Sequence, residues 1–236
     1  MKYNQLLSIN ADTKTIKGLK DGYLTGILYL APGKISGRNL CPNASPGCLS
    51  SCLYKAGRGA FNSIQKARIK KTRYFLNNKN EFMLNLVNSI EKLIKKANKE
   101  NLKPVVRLNG TSDIPWENIT IVKDGVIHGN IFTMFPELQF YDYTKNPKRN
   151  VIDIDNYHLT FSKSETNDNV IPDVIKKGLN VAVVFDKLPN KYLGLNVFNG
   201  DKSDLRFLDP DKSIIGLIAK GPAKKDNSGF VVHTNN

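Results

Sequence analysis

The most regular stretch of the chain is Glu81 to Asn98, where Phe82, Leu86, Ile90, Leu93, Ile94 and Ala97 fall on one helical stripe and the lysines fall off it. Apolar residues at that spacing share one side of a helix, so an amphipathic helix is expected there. A basic helix is expected from Ala60 to Phe75, with Ile64, Ala67 and Ile69 at near-helical spacing among Lys66, Arg68, Lys70, Lys71 and Arg73. Short runs rich in β-branched and aromatic residues predict strands at Gly22 to Leu30, Val105 to Leu108, Leu138 to Tyr143, Tyr157 to Phe161 and Leu179 to Phe185.

The last four of these strands each run into polar residues: Asn109-Gly110-Thr111-Ser112-Asp113, Thr144-Lys145, Ser162-Lys163-Ser164-Glu165 and Asp186-Lys187. Between two of them, Val170 to Lys177 is helix-compatible and Gly178 is a C-terminal stop. Strands that alternate with helices predict an α/β fold, a partial or distorted parallel βα barrel whose functional groups gather at the strands' C-terminal ends. In the tail, Asn196 to Asp201, Leu205 to Pro210 and Ile214 to Gly221 are expected as closing strands, and Lys220 to Gly229 as an exposed loop. The 236 residues, 40% of them hydrophobic, suffice for one domain with its own core. Within it, 1–38 is an N-terminal strand region, 39–59 a cysteine loop, 60–190 the βα units and 191–236 the closing strands and tail.

All three cysteines lie in Asn39 to Gly59, NLCPNASPGCLSSCLYKAGRG, with the spacing C-x6-C-x3-C. Three thiolates on a loop bent by Pro42, Pro46 and Gly47 suit a soft metal or an iron–sulfur cluster, because thiolate selects such centres. Cys41, Cys48 and Cys52 are therefore the candidate ligands, expected to lie across the C-terminal mouth of the sheet. Three ligands leave a fourth position open, whereas structural zinc takes a fourth Cys or His. His128, His158 and His233 are the only histidines available for it. Zinc, and cysteines with no ligand at all, stand as alternatives to a cluster.

Charge adds a second expectation. Thirty-five Lys and Arg against twenty-one Asp and Glu give a formal +14, which favours nucleic acid or another polyanion as partner. Many of the lysines accompany asparagines, so a purely compositional origin stands beside it. The longest apolar runs, Ile27 to Ala31 and Val181 to Phe185, are too short to span a bilayer. A soluble, cytoplasmic protein without a membrane partner is expected, in a compartment that keeps thiols reduced.

The motifs NLCPNASPGCLSSCLYKAGRG, VRLNGTSDIPWE, FYDYTK, YHLTFSKSE, NVAVVF, GDKSDLRFLDP and GLIAKG resemble those of the phage and mobile-element family called gene product 88, from about Asn39 to Val232. That resemblance implies a bacterial host cytoplasm and no known reaction. More distantly, a cysteine triad followed by βα units resembles radical S-adenosylmethionine enzymes, although those use C-x3-C-x2-C. This second resemblance implies a 4Fe-4S cluster on the three cysteines, S-adenosylmethionine as cofactor and an electron donor protein as partner. It also places Tyr54 near the adenine, Asn109 to Asp113 (through Gly110, Thr111 and Ser112) at the amino group, and Ser162, Ser164 and Glu165 at ribose or carboxylate.

Other roles compete for the same residues. Asn109 to Asp113 is also compatible with a helix-capping turn ahead of Pro115, and Ser162 to Glu165 with a capping box. Lys145 and Lys163 are candidates to bind phosphate or carboxylate as point charges, and Arg58 to bind an anion. Asp142 and Glu165 are candidates for acid–base work, and Trp116 for stacking on bases. The rival function is a basic nucleic-acid-binding, replication-associated protein with a structural metal.

Overall fold

The computed structural model describes residues 5–10 and 13–234. Its elements in chain order are β1 (Ser8–Ile9), α1 (Thr13–Gly18), β2 (Tyr23–Ile27), α2 (Pro46–Ser50), α3 (Asn62–Asn77), α4 (Lys79–Lys99) and β3 (Lys103–Arg107). A small hairpin of β4 (Val122–Lys123) and β5 (Val126–Ile127) and then α5 (Ile131–Met134) lead to β6 (Gln139–Thr144) and β7 (Tyr157–Ser162). The chain ends with α6 (Ile171–Lys176), β8 (Asn180–Phe185), β9 (Lys191–Tyr192), β10 (Leu195–Asn199), β11 (Ile214–Ile218) and β12 (Val231–Val232).

Ten strands form one sheet in the order β1-β2-β3-β6-β7-β8-β11-β10-β9, with β12 also on β8. Every pairing from β2 through to β10 is parallel, and only β1 and β9 at the ends run antiparallel to their neighbours. The expected α/β architecture is present. The strand path is linear, and no pairing joins its two ends among the described residues. Strand β8 splits the sheet: its first half pairs with β7 and its last two residues with β12. The C-terminal ends of β7 and β8 are thereby held apart, with the tail between them.

Register assigns the two faces. Val106, Phe140, Leu159 and Phe161 share one face, which α4 covers with Phe82, Leu86, Ile90 and Leu93, and α6 with Ile171 and Val174. Burying that continuous apolar face is the main stabilising contribution, about 25 cal/mol for each Å² of apolar surface removed from water. The opposite face carries Tyr23, Thr25, Arg107, Tyr141, Tyr143, His158 and Thr160. It is covered by the segment from Asp204 to Phe207, where Asp204 takes an ion pair from Arg107 at 3.1 Å and a hydrogen bond from the Tyr141 hydroxyl at 2.9 Å.

Several local expectations are corrected. Leu205 to Pro210 is not a strand but contains a 3-10 turn, Arg206–Leu208, because the consecutive residues Leu205 and Arg206 are both buried, which no half-buried strand permits. Lys220 to Gly229 is not simply exposed: Ala223 and Asp226 are buried, and Asp226 accepts the Val231 N–H at 3.0 Å. The inner side of α3 is Arg68, Thr72 and Phe75 rather than Ile64, Ala67 and Ile69, of which Ile64 and Ala67 are exposed.

Candidate thiol site

The cysteine segment lies over the C-terminal ends of β3, β6, β7 and β8 and is fastened there at three points. First, the Leu40 carbonyl accepts the Asp113 N–H at 2.8 Å, and Cys41 Sγ accepts the Gly33 N–H at 3.4 Å while facing the Thr111 carbonyl at 3.8 Å. Second, α2 starts at Ser45, whose hydroxyl accepts the Cys48 N–H at 3.2 Å, with Pro46 in the first helical position. The Glu165 carboxylate closes that turn from beyond β7, accepting the Gly47 N–H and the Ser45 hydroxyl at 2.7 Å each. Third, Cys48 packs, as Val184 does, on the apolar patch of the split, Ala219, Ala223, Phe230 and Val231.

Cys52 follows α2 and precedes a 3-10 turn, Leu53–Lys55, in which Tyr54 is buried. Arg68 reaches in from α3, its guanidinium 4.4 Å from the Tyr29 ring centre and 5.8 Å from that of Tyr54. Its Nη1 is buried without a hydrogen-bond partner. Sequence periodicity had no means of marking Arg68, since it sits among equally basic neighbours; its spacing from Thr72 and Phe75 is the one signal that puts it on the inner side.

The three thiols are free and partly buried. Burial pushes the Cys41 thiol up to about 12, and the nearby Cys52, Asp113 and Cys48 push it the same way. Cys48 and Cys52 are raised as well, again by burial first; Lys145 opposes the rise at Cys48, and the Tyr54 N–H, Arg68 and Lys55 oppose it at Cys52. The three sulfurs are thus within electrostatic reach of one another and of several cations. Among the described residues, no three His, Cys, Asp or Glu side chains are gathered around a position for a single metal ion.

Most of the polar residues expected to hold a cofactor instead build the platform under the loop. Asn109 is buried and accepts from Ser112 Oγ at 2.9 Å, the Ile114 N–H at 2.9 Å and Trp116 Nε1 at 3.1 Å. Gly110 is needed for close approach, since a Cβ there would lie 2.6 Å from the Tyr29 ring. Thr111 donates to the Leu30 carbonyl. Asp113 accepts the Lys145 N–H at 2.8 Å and faces Arg149 at 3.4 Å. Neither Ser112 nor Asp113 caps a helix, because the turn that follows, Trp116–Asn118, has no side-chain cap.

Lys145 Nζ donates to Ser162 Oγ at 2.8 Å, the Ser162 carbonyl at 3.2 Å and the Lys163 carbonyl at 3.0 Å, so its donors are engaged by protein rather than left for an anion. Lys163 is buried and paired with Asp168 at 2.9 Å. Ser164 is fully buried, its N–H donated to Asn167. With Glu165 turned to α2, the capping box at Ser162 does not form. Arg58 is exposed. Trp116 is fully buried against Asn109 and Phe75, which excludes it from stacking on a base.

Asp142 is buried beneath this platform. It accepts the Asn109 N–H at 2.6 Å and the Tyr157 hydroxyl at 3.0 Å, and burial still pushes it up to about 7. Of the histidines, His128 is exposed on the hairpin side, His233 pairs with Asp186 at 3.1 Å, and His158 faces Arg206 and Asp211 on the polar face. None of the three adjoins the cysteines in the hydrogen bonds and electrostatic contacts described.

No helix of the described residues is long and apolar enough to cross a membrane. No curated protein and no solved structure matches the chain. The family of gene product 88 does match it, over residues 1–234, and the chain belongs to that family.

Proposed function

We propose that Cys41, Cys48 and Cys52 hold an iron–sulfur cluster of the 4Fe-4S type, and that the protein is a cluster-dependent enzyme working under reducing conditions. The observation that carries this is the convergence of three free thiols, on a loop pinned over the C-terminal ends of parallel strands, with Lys145, Arg68 and Lys55 close by. A single zinc ion with bonds of about 2.3 Å draws its sulfurs to within about 4 Å of one another. A cluster instead binds each thiolate through a different iron, so three thiolates on one loop are enough for it. Nearby cations favour the negative charge that such a centre accumulates.

When bound, a cluster with three protein thiolates supplies one-electron chemistry and an open iron. The chain's own contribution is positional: Glu165 and Asp113 hold the loop, the patch that includes Phe230 packs against Cys48, and Tyr54 and Arg68 border Cys52. The parallel strands β2, β3, β6, β7, β8 and β11 follow one another in sequence order, with α4 and α6 on one face, which supports a curled, barrel-like sheet whose polar face carries Arg107, Tyr143 and Thr160. S-adenosylmethionine would be the candidate ligand of such a cluster, held by it and not by Asn109, Asp113 or Lys145, whose polar groups bond to protein, and an electron donor protein would be the reductant.

Anaerobic reconstitution followed by electron paramagnetic resonance, with and without S-adenosylmethionine, tests both parts. A cluster signal lost in Cys48→Ala, and shifted by the cofactor, is expected. Tight zinc binding with no cluster would replace the reading by a structural metal site, and neither metal would remove it.

A further inference from the structure

From Gly22 to Asn80 the chain carries ten Lys and Arg and not one Asp or Glu. Eight of the ten are exposed, and five of those eight lie on α3 and the two turns that lead into it, beside the thiol site. Lys66, Lys70 and Arg73 sit at i, i+4 and i+7 on the outer side of α3, and all three are exposed, as are Lys55 and Arg58 in the two 3-10 turns that lead into the helix. At a rise of 1.5 Å per residue, the helix spaces its three cations at about 6 Å and about 4.5 Å along its axis. None of the five makes an ion pair with an acidic side chain among the described residues. Between the cations stand exposed apolar side chains: Phe61 at 62% exposure, Leu53 at 56% and Ile64 at 37%.

An acid-free row of cations matches a polyanion. The apolar residues choose among polyanions. A duplex offers phosphates and hides the faces of its bases, but a single strand offers both, and an aromatic ring among cations is the usual platform for an unstacked base. A membrane surface fits less well, since the outer side of α3 is a cationic row and lacks the apolar stripe that would enter lipid. Arg68, on the inner side of the same helix, carries the buried and unpartnered Nη1 beside Cys52, so the row continues inward to the thiols.

We propose that the surface from Leu53 to Arg73 seats a single strand of nucleic acid, its phosphates on Lys55, Arg58, Lys66, Lys70 and Arg73 and a base on Phe61. The binding surface stands independently of the cluster. Only delivery of a nucleotide to the thiols rests on the cluster reading given above.

The test is fluorescence anisotropy with a labelled oligothymidine strand across a range of salt. Five phosphate contacts predict a slope of log K against log salt of about −3.5, from about −0.7 per contact on single strands. Changing Lys66, Lys70 and Arg73 together to Ala is expected to reduce the slope to about −1.4, and Phe61→Ala to weaken binding about tenfold with the slope unchanged. All four positions are exposed, so melting temperature and metal loading should stay as in the parent, and a cysteine-free variant should still bind the strand. Equal affinity for a duplex of the same length, tighter binding to phosphatidylserine vesicles, or full affinity in the triple variant would overturn the proposal. Loss of metal loading alone would count against the cluster and leave this surface standing.

Discussion

Glu165 accepts the Gly47 N–H and the Ser45 hydroxyl at 2.7 Å each, so one carboxylate beyond β7 ties down the helix that carries Cys48 through a residue, Gly47, that lies 118 positions earlier in the chain. Against the cost of burial, the Ser45 hydroxyl, its own backbone N–H and the Gly47 N–H hold Glu165 below the usual carboxylate range. Hydrogen bonds to a charged group contribute about 1.5 to 3 kcal/mol each, and exposure places these at the lower end. Glu165→Ala is therefore expected to lower the unfolding free energy by about 2 kcal/mol and to speed alkylation of Cys48, followed by mass spectrometry. Gly47→Ala should also loosen the clamp, since its Cβ would meet the Ser228 hydroxyl and, at 2.8 Å, both Glu165 oxygens. Unchanged protection of Cys48 in both variants would remove the clamp.

Asp142 makes a separate prediction about pH. Its folded-state pKa is about 7 against an ordinary value of 3.8, chiefly because it is fully buried, so between those values the folded protein holds a proton that the unfolded chain releases. Its contribution is most favourable below pH 4 and is lost as pH rises toward 7, at up to about 1.4 kcal/mol per pH unit. Asp142→Asn keeps an oxygen to accept the Asn109 N–H and removes the titration. Urea unfolding from pH 4 to pH 8 should show this slope in the parent and a flatter profile in the variant.

What was legible in the sequence followed the range of the interactions. The α4 stripe and the strand cores are local patterns, and Val181, Val183 and Phe185 announce a buried strand by composition alone. Helix α2 is five residues long, too short for periodicity to register, although Ser45-Pro46 is a start signal. That Cys41, Cys48 and Cys52 lie within electrostatic reach of one another followed from their closeness in sequence. Lys145 and Glu165 are expected there too, as polar residues just past strands, but not their partners: Glu165 bonds Ser45 and Gly47, Lys145 bonds Ser162, and Arg68 arrives unannounced from α3, because pairings across that much chain leave no mark on local spacing. The same limit explains why Asn109 to Asp113 reads as a ligand tip. A strand end rich in polar groups looks alike whether it faces a cofactor or, as Asn109 does, satisfies Ser112, Ile114 and Trp116.

On the opposite face of the sheet, Arg107 and Asp204 are paired at 3.1 Å with both side chains largely buried. Despite the desolvation of full burial, Arg107 holds Asp204 below the usual carboxylate range. Its contribution is thus present above the unfolded-state value near pH 4 and disappears as pH falls through the lower folded-state value. Removing one partner of a buried pair leaves an uncompensated charge, so Asp204→Ala should cost about 3 kcal/mol or more. The double variant with Arg107→Met should recover part of that loss. Denaturant titration at neutral pH checks the order, and a double variant weaker than Asp204→Ala alone would show that the pair is not the source.

Lys145 tests the electrostatics of the thiol site. It donates three hydrogen bonds to Ser162 and Lys163, its Nζ lies 5.2 Å from the centre of the Phe230 ring, and it is the foremost influence opposing the burial-driven rise of the Cys48 thiol. Lys145→Met keeps the stem and removes the cation, leaving two carbonyls and one hydroxyl without that donor. A loss of about 2 kcal/mol in stability is expected. Because the thiolate is the reactive form, alkylation of Cys48 should need higher pH in the variant, and its rate at neutral pH should fall. Cys41, for which Lys145 is not among the principal influences, should keep its profile and serve as the internal control. A pH–rate curve for Cys48 that stays in place while stability falls would make Lys145 a structural clasp alone.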